Sequence, residues 1–173
     1  MFDDVRVMIS AEEIDAKLAE MGAAITKDYA GKELLMVGVL KGAFMVMADL
    51  ARHVDLPVEF DFMAVSSYGA STKSSGVVRI LKDLDQEIAD RHVLIVEDII
   101  DSGLTLRYLM KSLSVRNPAS LELAALLVKD GVERPPTKIL YEGFHIPPEF
   151  VVGYGLDHVE KYRNLPFIGV LGE

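Results

Sequence analysis

Three acidic residues and a Ser-Gly-x-Thr turn follow an apolar segment near the middle of the chain. The apolar segment covers residues 93–96, and the acids that follow it are Glu97, Asp98 and Asp101. Carboxylates can hold sugar hydroxyl groups, and they can also hold Mg²⁺, which prefers oxygen ligands. Residues 102–105 are predicted to begin a helix, where free backbone N–H groups bind phosphate. A sugar phosphate is therefore the ligand that suits this segment.

The geometry of a strand limits what Glu97 and Asp98 can do together. Adjacent residues of a regular strand point to opposite faces, so both can face one ligand only if the strand ends there. The alternative is a purely structural role, in which the acids simply follow the strand and Asp101 or Ser102 caps the next helix. An apolar strand, two acids, two apolar residues and then Asp-Ser-Gly-x-Thr form a specific order, which favours the binding role.

The apolar pattern of the whole chain predicts alternating strands and helices that would position these residues. Residues 10–13 fit a capping box, and the helix that follows is predicted to stop near Gly31. Further strands are predicted at 34–40, 58–65, 77–81, 93–96, 121–128, 150–154 and 167–171, with helices at 43–54 and 104–113. We therefore predict an α/β fold with a mostly parallel central sheet flanked by helices. The candidate residues lie near carboxyl ends of strands, where such sheets bind ligands.

The composition is that of a single globular domain, which we expect to cover residues 1–173. There is no Cys, which excludes disulfides and thiolate sites. The net charge of −9 speaks against general nucleic-acid binding, which usually needs a basic surface. No apolar run reaches membrane-spanning length, and the first residues lack the pattern of a signal peptide. We therefore expect a cytoplasmic protein with neither a membrane nor a nucleic acid as partner.

Residues 97–103, Glu-Asp-Ile-Ile-Asp-Ser-Gly, resemble the phosphoribosyl-pyrophosphate (PRPP) signature of type I phosphoribosyltransferases, in the form of the hypoxanthine–guanine members. The resemblance extends from residues 40–42 to Arg163. It implies the type I phosphoribosyltransferase fold, with a small hood formed by terminal segments and a flexible hairpin lid. It also implies purine salvage, in which the 5-phosphoribosyl group of PRPP passes to hypoxanthine or guanine with Mg²⁺ as cofactor. The products would be IMP or GMP and pyrophosphate, and the family usually forms homodimers or homotetramers.

The resemblance assigns the central motif to the ribose phosphate. Glu97 and Asp98 would hold the ribose hydroxyl groups, directly or as ligands of Mg²⁺. Asp101 would act as general acid or base on the imidazole ring of the purine. The 5′-phosphate would lie against Ser102, Gly103, Leu104 and Thr105. Leu104 stands where some members have a larger or basic residue, but phosphate binding rests on the backbone there, so we expect little change in activity.

A second group would bind the pyrophosphate of PRPP, namely Lys41, Gly42, Ser67, Tyr68 and Arg163. In the family the peptide before this Lys can be cis. The residues alone favour an ordinary surface turn at Lys41-Gly42, because such dipeptides are common. The small polar segment 66–76 likewise favours a plain mobile hairpin tip, and only the resemblance indicates a lid that closes over PRPP.

A third group would bind the purine, namely Lys129, Phe150, Val151, Leu156 and Asp157. Lys129 would donate to the exocyclic oxygen at carbon six, which favours 6-oxopurines over adenine. Phe150 would stack on the ring beside Leu156, and the Val151 backbone would meet the ring edge. Asp157 would help to hold Mg²⁺, largely through water. The residue types alone favour an exposed Lys129 and a Phe150 within the core.

Two other functions stay open at this point. One is an RNA-binding regulator of pyrimidine genes with the same fold, although the acidic composition speaks against a basic RNA-binding face. The other is a phosphoribosyltransferase that prefers xanthine. The four His residues show no metal-ligand spacing, and we assign them no catalytic role.

Overall fold

The computed structural model describes residues 4–67, 78–132 and 138–172. The elements in chain order are β1 (Val5–Ile9), α1 (Ala11–Asp28), β2 (Leu34–Leu40), α2 (Phe44–Arg52), β3 (Val58–Ser67), β4 (Val78–Lys82), β5 (His92–Ile100), α3 (Leu104–Ser114), β6 (Ser120–Lys129), β7 (Tyr141–Ile146), β8 (Val151–Val152) and β9 (Ile168–Leu171). Among these helices, none is long and apolar enough to cross a membrane.

The strands form two sheets. The larger has six strands in the order β4-β3-β2-β5-β6-β7. Within it β3, β2, β5, β6 and β7 run parallel, and β4 pairs with β3 in the antiparallel sense. The smaller sheet, in the order β1-β9-β8, is antiparallel and joins the two ends of the chain. These findings confirm the predicted α/β fold with its mostly parallel sheet and its hood of terminal segments.

Both faces of the large sheet are buried, which explains why its central strands are apolar throughout. Residues 34–39 of β2 are all buried. On β5, alternate residues enter two different cores, because successive side chains point to opposite faces. Leu94 and Val96 belong to the core beneath α1 and α2, whereas Val93 and Ile95 belong to the core beneath α3. The sheet is thus a rigid support for whatever lies at its edge.

The capping box predicted at the start of α1 is present. The Glu13 backbone N–H donates to the Ser10 hydroxyl oxygen at 3.2 Å, and the Ser10 N–H donates to the Glu13 carboxylate at 2.8 Å. The helix ends at Asp28, and Gly31 adopts a left-handed conformation just beyond it. The sequence therefore located both ends of this helix within a few residues.

Two strands were not predicted, and two others, β8 and β5, differ most from their predicted lengths. Edge strand β7 carries exposed and polar positions and a Gly, so it lacks the apolar run that marked the other strands. Strand β1 is largely exposed and exists through its pairing with β9. Strand β8 is only two residues long, whereas β5 continues to Ile100. Glu97 and Asp98 therefore lie within the strand rather than after it. The alternation of faces is interrupted here, because Val96 and Ile99 belong to the same core, and both acids line one cavity.

The order of the sheet creates a crevice between β2 and β5. The chain leaves β2 through α2 and adds β3 on one side, whereas it leaves β5 through α3 and adds β6 on the other side. At such a reversal the connections diverge from the carboxyl ends of the two strands and leave room for a ligand. The turn after β2 and the turn after β5 face each other across this crevice.

Candidate active site

A cavity of about 340 Å³ occupies the crevice at the carboxyl ends of β2 and β5. It brings together many of the predicted site residues, which come from three separate parts of the chain. Those that line it are Gly42, Glu97, Asp98, Asp101, Ser102, Gly103, Thr105, Leu156, Asp157 and Arg163. The predicted convergence on one edge of the sheet is therefore observed for this set.

One end of the cavity is the start of α3, where the 5′-phosphate is predicted to bind. Gly103 is the N-cap residue, with φ of 71°, a left-handed conformation that glycine adopts without steric cost. No side chain among the described residues caps this helix, so neither Asp101 nor Ser102 has the purely structural capping role considered above. The first-turn N–H groups, together with the positive end of the helix dipole, are thus available to an anion.

Gly42 lies directly against the carboxylate of Asp98. A Cβ atom added at Gly42 would be 1.8 Å from Oδ2 of Asp98, far closer than two non-bonded heavy atoms can approach. The Leu40–Lys41 peptide that precedes this turn is cis, the conformation that this peptide can adopt in the family but that the sequence left open. The backbone after β2 therefore approaches the acidic pair of β5 as closely as two chain segments can.

Glu97 and Asp98 are two carboxylates in a poorly solvated place. Burial, and next the charge of Asp98, raise the pKa of Glu97 well above its usual value. Burial is also the largest cause that raises the pKa of Asp98 to about 6, against the opposing hydrogen bond from the Ile99 N–H. A bound cation would offset this like-charge cost, because it favours both ionised forms.

The donor set suits Mg²⁺ better than a metal that requires a complete protein cage. Among the residues that the structure describes, no three Asp, Glu or His side chains converge on one point. Asp157 is already engaged, since its carboxylate accepts from the Glu160 N–H at 2.9 Å and pairs with Arg163 at 3.0 Å. Mg²⁺ usually takes one or two carboxylates and completes its shell with water and substrate oxygens. Glu97 and Asp98 fit that requirement.

Replacing Glu97 with Gln should raise the melting temperature of the metal-free protein at neutral and alkaline pH. Because the pKa of Glu97 is higher in the folded protein than in the unfolded chain, where it is about 4.3, the folded protein becomes less stable as the pH rises from the unfolded value towards the folded one. Gln carries no charge and avoids that loss, and each kcal/mol of difference corresponds to about 2–4 °C. Thermal unfolding at about pH 5 and about pH 8 checks the prediction.

The matched control for this prediction is Glu20→Gln, which removes one charge from an exposed position of α1. The rise in melting temperature of the Glu97 variant should be larger at higher pH, whereas the melting temperature of the control should stay near that of the wild type. A gain that is equal at both pH values would contradict the burial argument.

Lys41 and Arg163, the two cationic residues predicted to bind pyrophosphate, both make polar contacts with other residues of the chain. Nη1 of Arg163 donates to the Gly155 carbonyl at 2.7 Å, and Nη2 lies 3.0 Å from Asp157 and 3.4 Å from Glu160. Nζ of Lys41 lies 2.8 Å from the Glu160 carboxylate. Lys41 lines a neighbouring apolar cavity of about 560 Å³ rather than the main cavity, and Arg163 lines both.

The loop that carries Leu156 and Asp157 is fastened to the turn after β2. A Cβ atom at Gly155 would lie 2.1 Å from the Gly42 carbonyl oxygen. One residue earlier, the Tyr154 hydroxyl donates to the carboxylate of Asp49 on α2. The loop therefore contacts the backbone of the turn after β2 and donates a hydrogen bond to α2, and neither feature was evident from the sequence.

Of the predicted purine residues, Leu156 and Asp157 line the cavity, whereas Lys129, Phe150 and Val151 do not. Nζ of Lys129 pairs with Oδ2 of Asp101 at 3.0 Å, and the Lys129 side chain is only 13% exposed. The expectation from residue type alone, an exposed lysine, is wrong. Phe150 is 56% exposed, so the core position that its type favours is also wrong, and its ring meets the His158 ring edge-on at 5.5 Å between centroids. Val151 is buried in β8.

Ser67 and Tyr68 belong to the predicted lid. Ser67 ends β3, whereas Tyr68 and residues 69–77 lie outside the residues that the structure describes. The site residues that sequence reasoning missed are Glu160, which pairs with both cations, and His158, which contacts Phe150. Nothing in their spacing marked them, since both depend on contacts between distant or turn-related side chains.

Comparison with known proteins agrees with this geometry. The model of the phosphoribosyl transferase domain matches residues 10–158. The hypoxanthine-guanine phosphoribosyltransferase of Mycobacterium tuberculosis is 54% identical over 171 residues, which cover 95% of this chain and 85% of the relative. A Staphylococcus aureus hypoxanthine phosphoribosyltransferase structure superposes with a TM-score of 0.94 at 46% identity, covering 99% of this chain and 94% of the other.

A further solved structure shows a relative with its product. It is the hypoxanthine phosphoribosyltransferase of Trypanosoma cruzi in complex with IMP, with a TM-score of 0.90 and 41% identity, and it covers 99% of this chain and 96% of the other. The resemblance inferred from residues 97–103 is thus confirmed along almost the whole chain, and the protein belongs to the phosphoribosyltransferase family.

Proposed function

We propose that the protein transfers the 5-phosphoribosyl group of PRPP to hypoxanthine or guanine, giving IMP or GMP and pyrophosphate. The observation that carries this proposal is the position of Asp101. It lies between the uncapped start of α3 and the amine of Lys129, and it lines the same cavity as Glu97 and Asp98. Phosphate, ribose and purine can therefore occupy consecutive positions along one crevice.

Asp101 manages the proton of the reaction. As one imidazole nitrogen of the purine forms its bond to the anomeric carbon, the bond from that carbon to pyrophosphate breaks, and the N–H group of the same imidazole ring loses its proton. The Asp101 carboxylate is 60% exposed and accepts that proton as general base. The Lys129 amine, 3.0 Å from Asp101, holds this carboxylate in place and donates to the exocyclic oxygen at carbon six.

The remaining charged residues stabilise the charges that develop as pyrophosphate separates from the anomeric carbon. Negative charge grows on the leaving pyrophosphate, near Lys41 and Arg163, whose donors suit phosphate oxygens. Positive charge grows at the anomeric carbon, near Glu97 and Asp98. Mg²⁺, when held by these two acids and through water by Asp157, would neutralise the pyrophosphate charge.

Replacing Lys129 with Met should reduce kcat/KM for hypoxanthine and guanine by about 10- to 100-fold, because a charge-assisted hydrogen bond contributes about 1.5–3 kcal/mol. Met keeps the length of the side chain without the charge. Activity with adenine should fall less, since with adenine only the positioning of Asp101 is lost and not the contact at carbon six, so that the preference for 6-oxopurines over adenine narrows. Steady-state kinetics with each base measures the ratio.

The exposed lysine at the end of α1 offers a matched control for this variant. Lys27→Met should leave every kcat/KM value unchanged, since Lys27 lies on the solvent side of that helix. An equal loss for adenine and for hypoxanthine in Lys129→Met would contradict a role in base selection.

One experiment distinguishes the proposed function from its alternatives. PRPP-dependent conversion of hypoxanthine, guanine, xanthine and adenine is measured side by side with Mg²⁺ present. Conversion of hypoxanthine or guanine supports the proposal, and a preference for xanthine would replace it with a xanthine-specific enzyme. No conversion of any base, together with RNA binding on filters at low salt, would support the RNA-binding regulator. Sedimentation of the same sample tests the predicted homodimer or homotetramer.

A further inference from the structure

A single carboxylate binds both of the cations assigned to pyrophosphate. Oε2 of Glu160 lies 2.8 Å from Nζ of Lys41, and Oε1 lies 3.4 Å from Nη2 of Arg163. The two oxygens of one carboxylate are thus shared between two positive groups that come from distant parts of the chain. Two oxygens between a lysine and an arginine are also what one phosphate group of pyrophosphate would offer.

The backbone around Glu160 is built to present this side chain. The N–H groups of His158 and Lys161 donate to each other's carbonyl oxygens at 3.0 and 3.1 Å, so residues 159 and 160 form a tight two-residue turn. Both have positive φ, 51° for Val159 and 62° for Glu160. Such a turn normally selects Asn or Gly, and a β-branched residue with positive φ is a genuine outlier. Outliers of this kind cluster at ligand clamps and switch regions.

The pairing is strong enough to position side chains but weak enough to be displaced. The side chains of Lys41 and Glu160 are each 66% exposed, so water and salt screen their attraction. Nε of Arg163 is buried and has no hydrogen-bond partner among the described residues. A pyrophosphate with several negative charges offers these cations a stronger partner than one carboxylate.

We propose that Glu160 is a positioning residue that occupies the place of a pyrophosphate phosphate group in the ligand-free protein and competes with pyrophosphate for Lys41 and Arg163. The inference rests on the proposed function, since it assigns these two cations to pyrophosphate. Glu160 would keep the cations in position before PRPP binds. It would also lower the affinity for pyrophosphate and so favour release of this product.

The affinity for pyrophosphate itself tests this proposal. Isothermal titration of the full chain with pyrophosphate and Mg²⁺ at low ionic strength should give a Kd for Glu160→Gln about two- to fivefold lower than for the wild type. Glu20→Gln, which removes the same charge from an exposed site on α1, should match the wild type. A purely structural role for Glu160 would predict equal or weaker binding, and that result would overturn the proposal.

A second variant tests whether the effect of Glu160 on pyrophosphate binding depends on Lys41. In a Lys41→Met background, removal of the Glu160 charge should improve binding less, because one of the two competing contacts is already gone. Glu160→Asp retains the charge and should bind pyrophosphate more weakly than Glu160→Gln. A gain that is equal in both backgrounds would assign the effect to general charge and overturn the proposal.

The same measurements separate this inference from the proposed function. If the wild type binds neither pyrophosphate nor PRPP, and converts no purine, the proposed function fails. If the wild type binds pyrophosphate and converts hypoxanthine or guanine while Glu160→Gln shows no tighter binding, only the inference fails.

Discussion

Replacing Asp101 with Asn should lower turnover by about two to four orders of magnitude, the usual contribution of a positioned general acid or base. Asn keeps the shape of the side chain but cannot accept the proton of the purine imidazole ring. PRPP binding should largely survive, because the phosphate contacts come from the start of α3 rather than from this carboxylate. Single-turnover kinetics measures the chemical step, and titration with PRPP measures binding.

A matched control for this change is Asp90→Asn. Asp90 has φ of 60°, a conformation that Asn adopts readily, and it precedes β5 at the end of the sheet opposite to the cavity. This variant should turn over at the wild-type rate. Unchanged turnover in Asp101→Asn would remove Asp101 from the mechanism, and equal losses of turnover and PRPP affinity would indicate that it acts in binding.

Replacing Gly42 with Ala should reduce kcat/KM by about 100-fold or more. The new methyl group would lie 1.8 Å from Oδ2 of Asp98, so the carboxylate or the turn must move by about an ångström. Displacement of that size at a reacting centre costs about 100-fold in rate. Steady-state kinetics with PRPP and hypoxanthine measures the loss.

Stability measurements reveal whether the collision with Asp98 is the cause. Gly42→Ala should lower the melting temperature of the wild type but have a smaller effect in an Asp98→Ala background, where the carboxylate is absent. An equal loss of stability in both backgrounds would attribute the effect to the turn itself.

The sequence was sufficient to predict the framework that carries the central motif. Strands β2, β5 and β6 are buried on both faces, so they are recognisable as apolar runs. The end of each run then located the turns that meet at the crevice. Edge strand β7 and hood strand β1 are held by pairing with neighbours and keep polar residues, so composition did not reveal them. The single domain predicted for residues 1–173 stays a prediction.

The contacts between site residues could not be predicted, because they join positions far apart in the chain. Lys41 and Glu160 are separated by 119 residues, and Lys129 and Asp101 by 28. Residue type alone does not distinguish Lys129 from an exposed lysine such as Lys138, and only the folded arrangement places the Lys129 amine against a carboxylate. The resemblance identified Lys129 and Arg163, but the pairing of Glu160 with both cations required the structure.

The contact between Gly155 and the Gly42 carbonyl has a consequence for engineering a new base preference. A library that randomises the loop around the purine would include position 155, yet every residue other than glycine would push against the turn after β2. Most of its members would then lose catalysis for a reason unrelated to base recognition. Diversity is better placed at Leu156, which lines the cavity, or at Phe150, which is largely exposed. Keeping position 155 fixed should raise the fraction of active clones in such a screen.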